Sequence, residues 1–311
     1  MNKDDFVLSP YINKITPEDK KLLQKTVLRL RPNSKNYEDS WGYIIQATRN
    51  GGFKWYDKKT NSLIFFGKKS AADSTLVVPL FLCEIDYLAK VVSQIQQTMK
   101  LTKIVLKNVN SDEVLPLASY GFRKYKKNEG WSKESRFDDQ TYPQLVVDLK
   151  KVSEAKGKLY HHLRKALRKN PNADIRKYLD SDKKAVLKIF AAKDGNSKKA
   201  TTGKYYSSHH MYVSADVDKF VITDNNTGNI IGFTATSAIT PTSTAFVALL
   251  FKPKVKIASV WGIYQTMMLQ YKKGFTTINF GGCETEGTYN FAQRTFRPVI
   301  ELEKTHLIYE N

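Results

Sequence analysis

The residues best suited to chemistry follow a pair of glycines near the end of the chain. Gly281 and Gly282 come directly after the predicted strand Thr277 to Phe280. Glu284 and Glu286 follow them. Paired glycines allow unusual dihedrals and close approach of a ligand, so their amides are predicted to meet a ligand carbonyl. The two carboxylates are predicted to hold an amino group or to act as a general base toward an attacking amine. A plain strand-to-turn glycine pair with solvated glutamates is the alternative.

A second feature is a run of positive charge in the helix predicted from about Ser153 to Lys169. Leu159, Leu163 and Leu167 fall on one face of this helix, and the basic residues fall on another. A phosphate backbone is a natural partner for such a stripe. The residues predicted to contact it are Lys158, Arg164, Lys165 and Arg168. A candidate second patch consists of Arg123, Lys124, Lys126 and Lys127. The alternative is a solvated amphipathic face without a phosphate ligand.

The cysteines and histidines do not form a metal-ligand pattern in the sequence. Cys83 and Cys283 lie far apart, so neither a disulfide framework nor a cysteine zinc site is predicted. Neighbouring histidines, as in His161-His162 and His209-His210, point in different directions on a helix. We therefore predict no metal site and a reducing, cytoplasmic setting.

The composition indicates a folded chain with a polyanionic partner. Of 311 residues, 41% are hydrophobic, which is enough for two packed domains and argues against disorder. Lysine and arginine number 50 against 30 acids, so the net charge of +20 favours nucleic acid or an anionic membrane surface. Met1 to Pro10 lacks the pattern of a secretory signal. The longest apolar runs are strand-length, far below the roughly 20 residues that span a bilayer, so a soluble protein is predicted.

The elements that must position these residues repeat in the same order in both halves. The first half shows a helix, a hairpin turning at Asp57 to Asn61, a buried strand, a helix and a strand. The second half shows a hairpin turning at Asn225 to Asn229, a strand, a helix and the strand before the glycine pair. This order resembles the acetyltransferase-like (GNAT) fold. It predicts an α/β protein with mixed sheets and two tandem domains, 1–140 and 141–311, the second holding the candidate site. A single large α/β domain is the alternative.

The stretch from Lys273 to Phe291 carries the most specific resemblance. It is similar to the Gly-Phe, Asn-Phe-Gly-Gly, acid-rich and Phe-containing stretch of the Fem aminoacyltransferases and the C-terminal domain of lysylphosphatidylglycerol synthases. In those families the strand ends at the acceptor site. The resemblance therefore implies substrate contacts by Asn279, Phe280, Gly281, Gly282, Phe291 and Arg297.

The sequence departs from those families at one catalytic position. A lysine in a Phe-Lys pattern steadies their tetrahedral intermediate, whereas Phe291 is followed here by Ala292 and Gln293. Arg294 or Arg297 is predicted to supply the positive charge instead. The predicted catalytic residues are Glu284, Glu286 and Arg294.

The resemblance implies a tRNA-dependent aminoacyltransferase. An amine or hydroxyl acceptor would attack the activated ester of an aminoacyl-tRNA directly, without a cofactor, a metal or a covalent enzyme intermediate. Cys283 is assigned a packing role rather than that of a nucleophile. The implied partners are tRNA and an acceptor, which could be a peptide, a protein, a cell-wall precursor or a small molecule. A basic surface could also contact a membrane peripherally.

Two other functions remain open at the level of the sequence. The same fold can bind acyl-CoA through a glycine-containing loop before its central helix, and an acyl-CoA-dependent N-acyltransferase is the first alternative. The corresponding stretch, Lys252 to Ser259, contains no glycine, which disfavours CoA. The second alternative is a non-catalytic RNA-binding module on the same fold.

Overall fold

The computed structural model of the protein describes residues 11–48, 52–68, 74–125, 142–156, 160–169, 172–196, 215–252, 255–282 and 286–310. These residues form two seven-stranded sheets and the helices that flank them. No helix within these ranges combines the length and apolarity needed to cross a membrane.

The regular elements of the described ranges are numbered in chain order. The strands are β1 (Ile12–Lys14), β2 (Gly52–Asp57), β3 (Ser62–Lys68), β4 (Thr75–Leu82), β5 (Lys103–Asn110), β6 (Arg123–Lys124), β7 (Gln144–Asp148), β8 (Ala173–Lys177), β9 (Asp218–Asp224), β10 (Ile230–Ala238), β11 (Ser243–Phe251), β12 (Thr277–Gly282), β13 (Ile300–Leu302) and β14 (Lys304–Glu310). The helices are α1 (Asp19–Leu30), α2 (Trp41–Ala47), α3 (Ile85–Met99), α4 (Ser111–Ala118), α5 (Leu149–Glu154), α6 (His161–Arg168), α7 (Lys183–Asn196), α8 (Lys256–Lys272) and α9 (Glu286–Phe296). Short 3₁₀ turns lie at Tyr37–Asp39 and Asp180–Asp182.

The two sheets share one topology. The first has the order β1-β2-β3-β4-β5-β14-β6, and the second has the order β8-β9-β10-β11-β12-β7-β13. In each sheet the fourth and fifth strands, β4–β5 and β11–β12, are parallel, and all other neighbours are antiparallel. The predicted α/β protein with mixed sheets, in which one order of elements occurs twice, is confirmed. The alternative of a single α/β domain is wrong, because the pattern occurs twice in two separate sheets.

The first sheet also contains one strand from the other side of the predicted boundary between domains, whereas every strand of the second sheet comes from the segment 141–311. β14 lies between β5 and β6 in the first sheet, and β7 lies between β12 and β13 in the second. The boundary predicted at residue 140 falls outside the described residues and stays a prediction. The segment 141–311 nevertheless supplies a strand to the first sheet, so the two halves interlock through main-chain hydrogen bonds.

Both faces of each sheet are covered, as the side chains of β3 show. Leu63 and Phe65 pack against α1 and α2, whereas Ile64 and Phe66 pack against α3 and α4. This alternation follows from the two-residue period of a strand. In the second sheet α5, α6, α8 and α9 cover one face and α7 covers the other. Helices α6 and α7 therefore lie on opposite faces of the same sheet.

The prediction of one long basic helix from Ser153 to Lys169 is wrong in its extent. The structure has two short helices there, α5 and α6. Ala155, at the end of α5, has φ −2° and ψ 57°, which are not helical values. Gly157 follows shortly after, and glycine is unfavourable inside a helix. The basic residues of α6 are therefore carried on a helix of eight residues.

Gly42 brings helix α2 of the first half into contact with the second sheet. Its amide donates to Ser237 Oγ at 3.1 Å, and a Cβ atom placed on Gly42 would lie 2.5 Å from Val247 Cγ1. We expect Gly42→Ala to lower the free energy of unfolding by about 1–3 kcal/mol, because overpacking forces the two halves apart. Urea unfolding measures this. Val247→Ala restores the space, so the double variant should lose less than the sum of the single losses; simple additivity would contradict the contact.

Candidate active site

The candidate site lies where strands β11 and β12 diverge. These parallel strands pair from Ser243–Thr277 to Ala245–Asn279, although β11 continues to Phe251 and β12 to Gly282. Strands β4 and β5 of the first sheet pair over a similarly short stretch. In the second sheet the floor of the opening is aromatic. The Phe280 ring lies 5.1 Å from that of Phe246 and 5.4 Å from that of Phe296.

A bulge at Gly281 shapes the end of β12. Relative to β7, β12 carries one extra residue between the pairs made by Asn279 and Gly282. Gly281 has φ +73°, a left-handed value that favours glycine, and a Cβ atom there would lie 3.6 Å from the Tyr37 ring. The expected unusual dihedral is therefore present. The Gly281 amide, however, donates to Asn279 Oδ1 at 2.6 Å and is not free for a ligand.

The structure gives Asn279 a role inside the protein. Its side chain is fully buried, with an exposed fraction of 0%. Its Nδ2 donates to Lys35 O at 2.6 Å and to Gln144 Oε1 at 2.9 Å, and its Oδ1 accepts from Gly281. These contacts hold the bulge in place. The predicted contacts of Asn279 and Gly281 with a substrate remain predictions.

Helix α9 carries predicted catalytic residues on one exposed side. Glu286 and Arg294 are both exposed, and Asn290, between them, donates to Glu286 Oε1 at 3.4 Å. Spacings of four residues place all three on one face. The Cα atoms of Glu286 and Arg294 are about 12 Å apart along the axis at 1.5 Å per residue, a separation that their long side chains must span to reach one reacting centre. Phe291, 37% exposed, lies on the same helix.

The other predicted residues near α9 divide into two groups. Glu284 and Cys283 lie outside the described residues, and of Gly282 only the backbone pairing is described. Arg297 follows α9 with φ +53°. Burial raises the pKa of Tyr160, as does Asp148, while the charge of Arg297 opposes the rise. The charge of Arg297 is therefore within electrostatic reach of Tyr160, at the start of α6.

A polar cluster surrounds Gln293, two residues after Phe291. Gln293 Nε2 donates to Tyr289 Oη at 3.1 Å and also to Glu301 Oε1. Tyr289 Oη donates to the Glu301 carboxylate, 2.9 and 3.0 Å from its two oxygens, and the Tyr289 ring stacks on Tyr142 at 5.1 Å. The i, i+4 spacing of Tyr289 and Gln293 was a visible signal of this pairing, but sequence reasoning missed Glu301, which comes from β13.

Two further groups beside the bulge were not singled out by the sequence. Glu38 is 2% exposed, and Gln144 Nε2 donates to its Oε1. Lys304 Nζ lies 3.5 Å from the other carboxylate oxygen, in a side chain only 1% exposed, and donates to Asn36 Oδ1 at 2.7 Å and Asn110 Oδ1 at 2.6 Å. Burial raises the pKa of Glu38, and the charge of Lys304 opposes that rise. A buried ion pair thus joins the two halves behind the candidate site.

The basic stripe on α6 is present and faces outward. Leu163 and Ala166 are buried, while Arg164, Lys165 and Arg168 are exposed. Lys158 lies outside the described residues. The second patch is partly neutralised, because Arg123 and Lys103 both form ion pairs with Glu310. Lys126 and Lys127 of that patch also lie outside the described residues.

The free thiol of the described chain is poorly suited to nucleophilic chemistry. Burial raises the pKa of Cys83 to about 12, so its thiol stays protonated at neutral pH. In the described ranges no group of three or more His, Cys, Asp or Glu side chains is arranged to hold a metal ion.

Comparisons with known proteins identify the fold. No protein-family model and no curated protein matches the sequence. The structure is similar to a conserved protein of unknown function from Bacteroides thetaiotaomicron VPI-5482, with a TM-score of 0.73 and 13% identity, covering 97% of this chain and 100% of that one. It is also similar to L-PGS from Bacillus licheniformis (TM-score 0.63, 14% identity, 96% and 93% covered) and to FemX (TM-score 0.64, 12% identity, 96% and 97% covered). The predicted resemblance to these two kinds of protein is confirmed in the fold, and the chain is a tandem acetyltransferase-fold protein.

Proposed function

We propose that this protein is an acyltransferase that moves an aminoacyl group from aminoacyl-tRNA to an amine or hydroxyl acceptor. The observation that carries the proposal is the second sheet, whose diverging parallel strands end at a glycine bulge beside α9. FemX and L-PGS share this fold, and the opening would admit a donor and a separate acceptor. The exposed positive residues of α6, on the same face of that sheet as α9, support a tRNA donor.

The chemistry follows from an ester that is already activated. The acceptor nitrogen or oxygen forms a bond to the carbonyl carbon, and the bond from that carbon to the ribose oxygen then breaks. The acceptor loses a proton to a base, for which we propose Glu286, and the departing ribose oxygen gains one. Arg294 would stabilise the negative oxygen of the tetrahedral intermediate. Positioning and charge stabilisation then supply the acceleration without an enzyme nucleophile.

The donor is identified by the RNA that the protein retains. Sequencing the RNA that copurifies with the protein would name the tRNA, and the same tRNA charged with its labelled amino acid then serves as donor in a transfer assay. Enrichment of one tRNA with transfer supports the proposal. Tight tRNA binding without transfer to any acceptor would instead indicate an RNA-binding module, and transfer from acyl-CoA alone would indicate the N-acyltransferase.

The stripe on α6 gives a quantitative test of tRNA binding. We expect the triple variant Arg164→Ala, Lys165→Ala and Arg168→Ala to weaken binding and to flatten its salt dependence, by a slope of roughly 0.7 to 0.9 per lost phosphate contact. Fluorescence titrations at several salt concentrations measure the slope.

The matched control removes three positive charges from the opposite face of the same sheet. Lys183, Lys184 and Lys188 are exposed on α7, so their triple alanine variant has the same net charge. It should leave the slope unchanged. If the two triple variants behave alike, binding depends on net charge and the α6 stripe is only a solvated face.

A further inference from the structure

An unbroken chain of hydrogen bonds joins the candidate site to the first half of the protein. The Gly281 amide donates to Asn279 Oδ1 at 2.6 Å, and Asn279 Nδ2 donates to Gln144 Oε1 at 2.9 Å. Gln144 Nε2 then donates to Glu38 Oε1. All of these residues are buried. We call these three hydrogen bonds the relay. In each of them the donor group points toward the Glu38 carboxylate.

The direction of the relay is fixed by groups of the first half. An ionised carboxylate only accepts hydrogen bonds, so Gln144 must turn its NH₂ group toward Glu38 and its oxygen toward Asn279. The Tyr37 amide donates to that same oxygen at 3.1 Å, and Lys35 O accepts from Asn279 Nδ2 at 2.6 Å. Bonds aligned head to tail in a buried site polarise and strengthen one another. The oxygen of Asn279 is thereby left facing the Gly281 amide.

Because of Lys304, the end of the relay requires a carboxylate rather than an amide. Its ammonium group lies 3.5 Å from Glu38 Oε2. A glutamine in place of Glu38 would either turn its own NH₂ group toward this ammonium or offer that group to Gln144. In the first arrangement two donors, the NH₂ group and the ammonium group, face each other. The second arrangement reverses the direction of the whole relay. A neutral amide of nearly the same shape therefore cannot replace the carboxylate.

We infer that Glu38 is a positioning residue for the candidate active site, which sets the left-handed bulge at Gly281 through Gln144 and Asn279. The bulge lies at the end of β12, and Glu286 begins α9 shortly after it in the sequence. The first half thus takes part in shaping a site carried by the second half. The effect of Glu38 on catalysis rests on the proposed function, whereas the existence of the relay does not depend on that function.

Hydrogen exchange at the Gly281 amide tests the relay without any substrate. We expect Asn279→Ala to accelerate this exchange by about tenfold, since it removes the direct acceptor. Glu38→Gln should accelerate it by at least about threefold in the wild-type background, and should add nothing once Asn279 is alanine. A variant that merely loosens the fold would accelerate exchange by the same factor in both backgrounds, and that outcome would overturn the inference.

Asp19→Asn is the matched control for loss of a buried carboxylate. Asp19 pairs with Lys54 in the first half, and no atom of that pair contacts the relay in the described structure. Its loss should leave the exchange at Gly281 unchanged relative to a core amide such as that of Val146. Equal acceleration in Asp19→Asn and Glu38→Gln would also overturn the inference.

The transfer assay then separates the relay from the proposed function. We expect Glu38→Gln to lower kcat while the KM for charged tRNA stays the same, because the stripe on α6 is untouched. An unchanged kcat together with accelerated exchange would show that the bulge does not shape the reacting site. If the wild-type protein transfers nothing, the proposed function fails, and the exchange measurements still decide whether the relay exists.

Discussion

Replacing Arg294 with alanine is expected to lower the rate of aminoacyl transfer by about 10²-fold, the effect typical of removing an oxyanion-stabilising group. Arg294 is the predicted substitute for the lysine that similar families carry, and it lies on the exposed side of α9 with Glu286. Glu286→Ala is expected to have an effect of similar size through loss of the general base. Single-turnover measurements with charged tRNA report the chemical step directly.

The controls for this prediction use neighbouring residues. Arg297 has φ +53°, so Arg297→Gly keeps the backbone relaxed while removing the charge. Because the charge of Arg297 acts on Tyr160 at the start of α6, we expect this variant to weaken tRNA binding more than it slows the chemical step. Cys283→Ala should keep most of the activity. Loss of turnover in Cys283→Ala, together with an aminoacyl thioester trapped on the wild-type protein, would replace direct transfer by a covalent mechanism.

Replacing Lys304 with methionine is expected to lower the free energy of unfolding by about 3–5 kcal/mol, because Glu38 would remain buried without its charged partner. Urea unfolding measures the loss. Adding Glu38→Gln to Lys304→Met removes the unpaired charge, so the double variant should recover much of the stability.

An exposed ion pair serves as the comparison for Lys304. Lys273 and Asp218 pair at 2.6 Å, and both side chains are partly exposed. Lys273→Met is expected to cost less than about 1 kcal/mol, as exposed pairs generally do. If Lys304→Met costs as little as Lys273→Met, the pair behind the candidate site does not depend on its charge.

The elements of this fold could be predicted from the sequence because the signals that define them lie close together along the chain. The turns at Asp57 to Asn61 and Asn225 to Asn229 identify the hairpins, and apolar periodicity identifies the helices. The amphipathic character of α6 was likewise visible, although the helical run that the pattern suggested is broken at Ala155. Two similar orders of elements in one chain were then enough to predict two domains.

The joint between the halves could not be predicted from the sequence because its contacts are distant along the chain. Lys304 follows Glu301 and Glu303 in a charged stretch that is typical of a solvated surface. Its partner Glu38 is more than 260 positions away, and nothing in local periodicity indicates that β14 enters the first sheet. Asn279 was predicted for its family pattern, but its burial depends on Gln144 and Lys35, which carry no motif.

The place of β14 in the first sheet has a consequence for synthesis on the ribosome. The first sheet needs residues 304–310 between β5 and β6, so a nascent chain that has emerged only through its first half cannot complete this sheet. Until then the edge of β5 presents unpaired amide and carbonyl groups, to which other strands can pair. Folding of the amino-terminal half therefore depends on residues 304–310, which are translated after every strand of the second sheet. Cutting the chain once near residue 140 cannot yield an amino-terminal half with its complete sheet.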